Sequence, residues 1–338
     1  MTHIYAYLTI FVSLFIVEFI YLKLAKRFKI YDVPNDRSSH TKVICRGGGI
    51  IFFIGAWMWF GFILGFDPHH FDWAHQGMYL IFLTCLTGVA ITSFIDDIRG
   101  VAPWIRLTVE FVAMIGMFHA WGIMDLHFWW LIILALVFCV GTINAINFMD
   151  GINGITGVYA LAVLAPLIWT DFHRFVYVPK SYLFVTVVSV LVFLFFNFRK
   201  KPICFAGDIG SKSMAFLLLF ALGKLISSRG DFTYIVFLAV YGVDTGLTIV
   251  HRIMLHEKLS IAHRKHAYQI MCNELKIPHL CVATFYGLLQ LAISAGFFLV
   301  PNTPKWHWAY LIAACSALAL AYVVFMKKYY HLHEEGLK

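Results

Sequence analysis

Long apolar runs separated by short polar segments make up almost the whole chain. A membrane-spanning helix needs about 20 mostly apolar residues, and eleven runs approach that length. The predicted spans are residues 4–22, 47–66, 77–95, 107–123, 129–148, 155–170, 182–198, 214–228, 232–249, 280–300 and 307–326. This pattern predicts an all-α, polytopic membrane helix bundle that forms one domain over residues 1–338.

Lys and Arg lie mostly on one side of this predicted bundle. If the N-terminus faces outside, the segments on the cytoplasmic side hold 21 basic residues and the opposite loops hold four. Because an excess of Lys and Arg marks the cytoplasmic side, we predict an outside N-terminus and a cytoplasmic C-terminus. The cytoplasmic segments are then the loops 23–46, 96–106, 149–154, 199–213 and 250–279 and the tail 327–338.

Composition supports the membrane assignment and excludes some other classes of function. The chain is 61% hydrophobic and 13% charged, about half the charged fraction of soluble domains. Its formal net charge of +8 is spread over several loops, as the positive-inside rule predicts, so no nucleic-acid partner is expected. The seven cysteines form no CxxC pair and no spacing typical of a metal site.

A polar cluster follows the fifth apolar run, where a membrane helix meets water. Asn144 and Asn147 lie three residues apart and share a helix face, which Asp150 continues. Gly151 and Gly154 permit a turn and the close approach of a ligand. Ordinary turn chemistry would explain the segment from Asp150 onward, but it leaves two Asn inside an apolar helix unexplained.

Two adjacent carboxylates, Asp96 and Asp97, end the third span. Such neighbours repel each other, and a divalent cation would relieve the repulsion. Mg²⁺ suits the position, because it takes one or two carboxylates together with substrate phosphate oxygens. The alternative is an exposed helix end paired with Arg99 or Arg106.

Two more aspartates stand near the predicted cytoplasmic side. Asp208 lies between glycines and beside Ser211 and Lys212, which suits a metal or phosphate contact, although a serine capping span eight would also explain the segment. Asp244 lies within the last two turns of span nine. An interhelical pair with Lys224 is the structural alternative for that residue.

Two cytoplasmic loops combine basic residues with histidine. They contain Arg37, His40 and Arg46 in loop 23–46, and His263, Arg264 and His266 in loop 250–279. Arginine binds phosphate oxygens in a bidentate manner, and the run Gly47–Gly49 opens a helix whose N–H groups could attract an anion. Solvated basic loops are the alternative for both segments. The aspartates from four spans share one face, however, which favours a common polyanion and metal site.

These clusters, in this order, resemble the polyprenyl-phosphate N-acetylhexosamine-1-phosphate transferase family (glycosyltransferase family 4). The motifs of this sequence are similar to those of the branch that initiates O-antigen or teichoic acid linkage synthesis. That branch is related to phospho-N-acetylmuramoyl-pentapeptide transferase. The resemblance covers residues 32–269. It rests on Asp32-x-Pro34-x-x-Arg37-Ser38-x-His40, Arg46-Gly-Gly48, Asp96-Asp97, Asn147-Phe-Met-Asp150-Gly, Gly207-Asp208-x-Gly210-Ser211, Asp244-Thr245 and His263-Arg264-x-His266.

The resemblance implies a reaction and its partners. An N-acetylhexosamine 1-phosphate would pass from a UDP-sugar to polyprenyl (undecaprenyl) phosphate with release of UMP, as the first membrane step of O-antigen or other cell-surface polysaccharide synthesis. The enzyme would lie in the lipid bilayer of the bacterial inner membrane, with its active site on the cytoplasmic face. Mg²⁺, with Mn²⁺ as an alternative, is the implied cofactor, and a homodimer is compatible with the family.

The resemblance also implies roles for individual residues. The implied catalytic residues are Asp96, Asp97 and Asp150, and the implied metal ligands are Asp208 and Asp97. The implied substrate contacts are Arg37, His40, Arg46, Asn144, Asn147, Asp244, His263, Arg264 and His266. Many members carry an Asp at the position of Asn153, so we do not assign this Asn as a base or a principal metal ligand.

Two other classes of membrane protein also place acids in or near their spans. An ion-coupled transporter would carry acids near the membrane midplane and inverted repeats, whereas these acids crowd one face and no repeat is evident. A membrane prenyltransferase would carry two aspartate-rich motifs, and this chain has one acidic pair. The sequence leaves open whether the lipid phosphate attacks directly or a carboxylate attacks first.

Overall fold

The computed structural model describes residues 2–34, 39, 42–64, 73–124, 127, 129–258 and 263–335. It is an all-α membrane helix bundle, which confirms the predicted fold class. The helices are α1 Thr2–Arg27, α2 Ile50–Met58, α3 Trp73–Arg99, α4 Pro103–Trp121, α5 Trp129–Phe148, α6 Ile155–His173, α7 Lys180–Asn197, α8 Gly207–Arg229, α9 Ala239–Met254, α10 Ala267–Asn273, α11 His279–Leu299 and α12 Pro304–Glu335. A π-helical segment, Trp59–Leu64, extends α2, and a 3₁₀ segment, Phe232–Leu238, leads into α9.

Each predicted span has a helical counterpart, but not all of them are equally suited to cross a membrane. Within the described part of the chain, nine segments are long and apolar enough to do so by length and composition. The exceptions among the predicted spans are α2 with its π-helical extension, which is shorter, and α4, which carries Arg106 and Glu110. The count of eleven spans and the orientation of the bundle therefore stay predictions.

Helix α8 lies at the centre of the bundle and is the most buried of the candidate spans. Its apolar side chains pack tightly against α3, where the rings of Phe82 and Phe220 stack with centroids 4.0 Å apart. Tyr182 of α7 packs its ring against both phenylalanines and donates its hydroxyl to the Leu217 carbonyl at 2.8 Å. Close packing of this kind fixes the position of α8, and with it the first turn that contains Asp208.

A short antiparallel pair of strands, β1 Tyr31–Asp32 and β2 Ile44–Cys45, connects α1 to α2. Beyond β2, Cys45 forms a parallel bridge with Cys204, just before α8 begins. This contact brings the segment that contains Arg46 to the N-terminus of α8. The first loop and the α7–α8 connection, far apart in sequence, therefore meet at one end of the bundle.

Candidate active site

The carboxylate of Asp97, in the last turn of α3, caps the N-terminus of α8. The backbone N–H groups of Asp208 and Ile209 donate to its two oxygens at 2.9 and 3.0 Å. A carboxylate at this place satisfies N–H groups that lack helical partners and complements the helix dipole. The predicted start of span eight at residue 214, and its capping by a serine, were wrong: the helix begins at Gly207 because an acid from another helix caps it.

Two arginines join three aspartates into one carboxylate–arginine cluster, which consists of Arg46, Asp96, Asp97, Arg106 and Asp208. Arg46 places Nε 2.6 Å from Asp97 Oδ1 and Nη2 2.9 Å from Asp208 Oδ1. Arg106 of α4 pairs with Asp96 and lies 3.6 Å from Asp208 Oδ2. Burial opposes charge on Arg46, but Asp97 and Asp208 outweigh it and raise the pKa of the guanidinium. Arg106, offered by the sequence only as an alternative partner of Asp96, therefore belongs to the site.

The three aspartates of the cluster differ in how fully the protein occupies their oxygens. Both oxygens of Asp97 accept backbone N–H groups, and its side chain is fully buried. Asp96 accepts the N–H of Val101 at 2.6 Å in addition to Arg106. Asp208 contacts the two arginines and the side chain of Asp96, and 13% of its side chain is exposed. Asp208 is thus the acid best placed to turn toward a ligand.

The chemistry of these donors fits a hard divalent cation. No group of three or more candidate metal ligands is preassembled in the part of the chain that the structure describes. Mg²⁺ needs only one or two protein carboxylates, because waters and substrate phosphates complete its octahedral shell. Asp208, whose backbone N–H donates to Asp97, offers such a partial shell together with that carboxylate.

Asp150 lies in the turn between α5 and α6 and belongs to the same electrostatic site. Thr156 donates its hydroxyl to one carboxylate oxygen. Burial raises the pKa of Asp150 to about 8, and the nearby charges of Asp208 and Asp97 raise it further against the opposing effects of Thr156 and Arg46. Burial is the main cause of this shift, and the charges of the cluster add to it.

The two asparagines at the end of α5 hold it against neighbouring helices. Asn147 accepts a hydrogen bond from Ser211 Oγ of α8 at 2.6 Å. Asn144 donates to Glu110 Oε2 at 2.6 Å, and the other oxygen of Glu110 lies 2.9 Å from Lys212 Nζ. Glu110 and Lys212 form an ion pair whose side chains are each 2% exposed. Asn144 therefore contacts this buried pair, one turn of α8 beyond Asp208.

Asn153 is occupied by hydrogen bonds that hold the turn before α6. Its Nδ2 donates to the Arg199 carbonyl at 2.5 Å, and its Oδ1 is paired with His279 Nδ1. The next residue, Gly154, has a φ of +92° and donates its N–H to Asn197 Oδ1 at 2.6 Å. With both ends of its amide engaged and 4% of its surface exposed, Asn153 supports the turn that presents Asp150.

A second group of residues surrounds Asp244, which lies in the second turn of α9. Its carboxylate lies 3.2 Å from His266 Nδ1 and accepts the hydroxyl of Tyr286 at 2.6 Å. The proposed alternative partner, Lys224, is not among its contacts. The Nε2 atom of His266 is buried and has no hydrogen-bond partner in the described chain.

The residues that follow α9 connect this group to the turn containing Asp150. Tyr268 of α10 donates its hydroxyl to the Phe148 carbonyl at 3.0 Å. His263 stacks near His266, with ring centroids 5.0 Å apart, and burial lowers the pKa of His263 to about 3, helped by His266 and Arg252. Arg264 is partly exposed beside them. Predicted contacts Arg37 and His40 lie outside the described residues.

The glycine run after Arg46 does not offer the anion site that its sequence suggested. Gly48 and Gly49 donate their N–H groups to the carbonyls of Phe205 and Ala206 at 2.8 and 3.0 Å. A Cβ atom on Gly49 would lie 2.2 Å from the Cα of Gly210. These glycines permit α2 and α8 to start in direct contact, and two of the N–H groups expected to bind phosphate are already used.

Several site residues escaped the sequence analysis because each is a single polar residue inside an apolar helix. Glu110 and Tyr286 were given no role, Lys212 was named only as a neighbour of Asp208 in a possible metal or phosphate contact, and Arg106 was named only as a possible pair. The signal that could have found Glu110 and Lys212 was the cost of an unpaired charge in a membrane span, which demands a partner of opposite charge.

The bundle and its carboxylate–arginine cluster together define a polytopic membrane protein with a site suited to phosphate chemistry. Residues 79–225 match the model of glycosyl transferase family 4. That segment extends from α3 to α8 and includes Asp96, Asp97, Asn147, Asp150 and Asp208. This match confirms the predicted resemblance to the family over that segment and supports a transferase.

A curated relative supports the same family. The chain is 24% identical over 285 residues to a Bacillus subtilis (strain 168) protein named "Probable undecaprenyl-phosphate N-acetylglucosaminyl 1-phosphate transferase". The aligned region covers 78% of this chain and 75% of the relative. The similarity therefore extends well beyond the segment matched by the family model.

Proposed function

We propose that this chain transfers an N-acetylhexosamine 1-phosphate from a UDP-sugar to a polyprenyl phosphate, such as undecaprenyl phosphate, and releases UMP. The observation that carries this proposal is the carboxylate–arginine cluster at one end of the bundle, within the family-matched region and close to Asp150. The name of the Bacillus subtilis relative supports the choice of a polyprenyl phosphate and an N-acetylhexosamine.

The charges of the cluster suit a reaction between two phosphate-bearing substrates. A lipid phosphate and a nucleotide diphosphate repel each other, so a site that joins them must supply positive charge where they meet. Arg46 and Arg106 provide two fixed cations beside Asp208. Bidentate contacts of guanidinium with phosphate oxygens would orient the substrates as well as screen them.

Mg²⁺ is the proposed cofactor, with Mn²⁺ as an alternative, and Asp208 and Asp97 would hold it. The ion would supply screening of the phosphate charges and a template for their alignment. Asp208 is the most exposed of the three aspartates, and the arginines beside it can bind phosphate instead. Asp97 would keep α8 in place, because it caps the helix that carries Asp208.

The remaining predicted residues surround this centre. Asp150, on the turn held by Asn153, would face the nucleotide phosphates together with Asn147. The segment His263–His266 would hold the diphosphate from the opposite side. We further propose that the reaction occurs on the cytoplasmic face of a bacterial inner membrane and starts a cell-surface polysaccharide such as O-antigen.

The test is a reconstitution of the purified protein with undecaprenyl phosphate, Mg²⁺ and a panel of UDP-N-acetylhexosamines. We expect UMP release with at least one nucleotide sugar, and its loss when the lipid phosphate or the metal is omitted. The panel also identifies the sugar. Failure of every UDP-sugar to yield UMP contradicts the proposed function.

The same preparation separates the two rival classes. Uptake of a labelled solute into protein-containing vesicles, without release of nucleotide, is the outcome expected of an ion-coupled transporter. Transfer of a prenyl group from a prenyl diphosphate, with release of inorganic diphosphate, is the outcome expected of a prenyltransferase. Either result in place of UMP release would replace the proposal.

A further inference from the structure

Hydrogen bonds converge on the carboxylate of Asp244 from three helices and the loop before α10. Tyr286 of α11 donates to Oδ2 at 2.6 Å. Thr248 of α9 and the backbone N–H of Ala267 both donate to Oδ1 at 3.2 Å. His266 completes the set, with its Nδ1 also 3.2 Å from Oδ1. Asp244 is only 4% exposed, so these protein groups occupy its oxygens and leave little room for a substrate.

His266 has the opposite character, because one of its ring nitrogens is free. An ionised carboxylate can only accept hydrogen bonds, so the Nδ1 atom that faces Asp244 carries a proton. The Nε2 atom, on the far side of the ring, is buried and has no partner in the described chain. His266 is 2% exposed. A buried polar atom without a partner is costly, and a ligand at Nε2 would remove that cost.

The backbone and ring of His266 are held in one orientation. The side chain of Gln269 accepts the His266 N–H at 3.3 Å. The ring stacks near Tyr268, with centroids 5.7 Å apart, and lies beside His263 on its other side. Tyr268 is itself fixed to the turn before Asp150. The free Nε2 atom therefore has a defined position relative to the proposed phosphate site.

We propose that Asp244 and Tyr286 are positioning residues, which fix the tautomer and orientation of His266 so that its protonated ring donates Nε2–H to a phosphate oxygen of the nucleotide diphosphate. This inference rests on the proposed function and assigns a role to Tyr286. Asp244 acts through His266 instead of touching the substrate. A carboxylate behind an imidazole favours the protonated ring and selects which nitrogen faces the ligand.

Several titratable groups share the surroundings of the His266 ring and affect its protonation. Asp244, His263 and Tyr268 face the ring. Tyr286 contacts Asp244 directly, and Tyr322 contacts Thr248, which in turn contacts Asp244. Further away, Arg252, Glu257 and Lys265 surround His263, and Asp150 lies near Tyr268. Asp244 is the carboxylate in direct contact with the ring. Removing its charge is therefore the change that most directly alters the protonation of His266.

The first test compares the pH dependence of UMP release by the wild type and by Asp244→Asn. The proposal makes the protonated ring the form that binds the diphosphate, and the adjacent carboxylate favours that form. Without this negative charge, the active form is lost at a lower pH. The alkaline limb of kcat/KM should therefore move to lower pH in Asp244→Asn by about one unit or more. A purely structural role would lower the rate without moving this limb.

The second test uses Tyr286→Phe, which removes one hydroxyl and keeps the ring. We expect kcat/KM to fall about tenfold, since the lost hydrogen bond is made to a charged group, and the alkaline limb to move. The matched control is Tyr310→Phe, because Tyr310 of α12 donates its hydroxyl to the Ile293 carbonyl at 2.8 Å and has no contact with Asp244. That control should keep the wild-type profile.

A double-mutant cycle decides whether Asp244 acts through His266. In a His266→Gln background, Asp244→Asn should have little further effect on kcat/KM, because the group it positions is gone. Additive losses, or unchanged pH limbs in both Asp244→Asn and Tyr286→Phe, would overturn the inference while leaving the proposed function intact. Absence of UMP release by the wild type would instead overturn the proposed function, and this inference with it.

Discussion

Two Asp–His pairs, one buried and one with a partly exposed aspartate, lie in different parts of the bundle. Asp244–His266 lies beside the turn that presents Asp150. Asp231–His307 follows the C-terminal end of α8, a helix of 23 residues whose first turn holds Asp208. A helix of that length spans about 35 Å. The second pair is therefore remote from the carboxylate–arginine cluster.

The contacts of the two pairs explain why the same residue types serve different purposes. Asp231 accepts the N–H and hydroxyl of Thr233 at 2.9 and 2.6 Å, so it caps the 3₁₀ segment before α9. It also joins this segment to α12 through His307 Nδ1 at 3.0 Å. Asp244 caps nothing on its own helix and gathers three helices around His266. The Nε2 atoms of both histidines are buried and have no partner in the described chain. The comparison therefore teaches that the place of an Asp–His pair in the bundle, not its free nitrogen alone, decides what the pair does.

The largest expected effect comes from matched Asp→Asn changes at the two ends of α8. Asp208→Asn should lower kcat about 1,000-fold, or ~4 kcal/mol in activation free energy, because the site loses a charge aimed at the reacting phosphates. Asp231→Asn should keep wild-type activity. The rate of UMP release measures the activity of both variants.

The comparison between the two ends of α8 fails if Asp231→Asn loses activity to the same degree. Full activity of Asp208→Asn would show that the metal is held elsewhere. Both variants should be checked for monodisperse elution in detergent, so that a folding defect is not mistaken for a catalytic one.

The second prediction concerns the buried Glu110–Lys212 pair, which lies one turn beyond Asp208. Lys212→Met should destabilise the protein by about 3–5 kcal/mol, because it leaves Glu110 buried without its cation. The double variant Lys212→Met/Glu110→Met should recover most of that loss, since it removes both charges. Thermal unfolding in detergent measures the stability of the single and the double variant. A double variant less stable than Lys212→Met would show that the charges stabilise the bundle beyond their pairing.

Length and apolar composition were enough to predict most of the fold. A run of about 20 apolar residues has few stable alternatives to a membrane helix, and each predicted span has a helix in its place. The start of α8 was misplaced because its N-terminal turn is rich in glycine and polar residues. That turn is helical only because Asp97, more than 100 positions earlier in the chain, caps it.

The acidic residues of the site were predicted, whereas their partners were not. Asp96, Asp97, Asp150 and Asp208 stand out because a carboxylate at a membrane edge is costly. Arg106 and Glu110 lie in α4 and Tyr286 lies in α11, and their pairing depends on how these helices pack against α3, α8 and α9. A single sequence carries no direct record of that packing.

The smallest expected effect is on protein stability, and it concerns the role of Asp231 as a helix cap. Asp231→Ala should cost about 1 kcal/mol of stability, as loss of a helix cap does, whereas Asp231→Asn keeps a capping oxygen and should cost less. Although burial opposes it, hydrogen bonds from Thr233 and His307 lower the pKa of Asp231. A lowered carboxyl pKa gives stability that is present above the unfolded value of about 4 and is lost as pH falls through the folded value.

The melting temperature of the wild type should therefore fall as pH drops below about 4, and that of Asp231→Asn should fall less steeply. Thermal unfolding between neutral and acidic pH measures how the melting temperature of each variant depends on pH. Equal slopes for wild type and Asp231→Asn would show that the Asp231–His307 pair does not stabilise the fold through its charge. The functional difference between the two pairs would then depend on Asp244 and His266 alone.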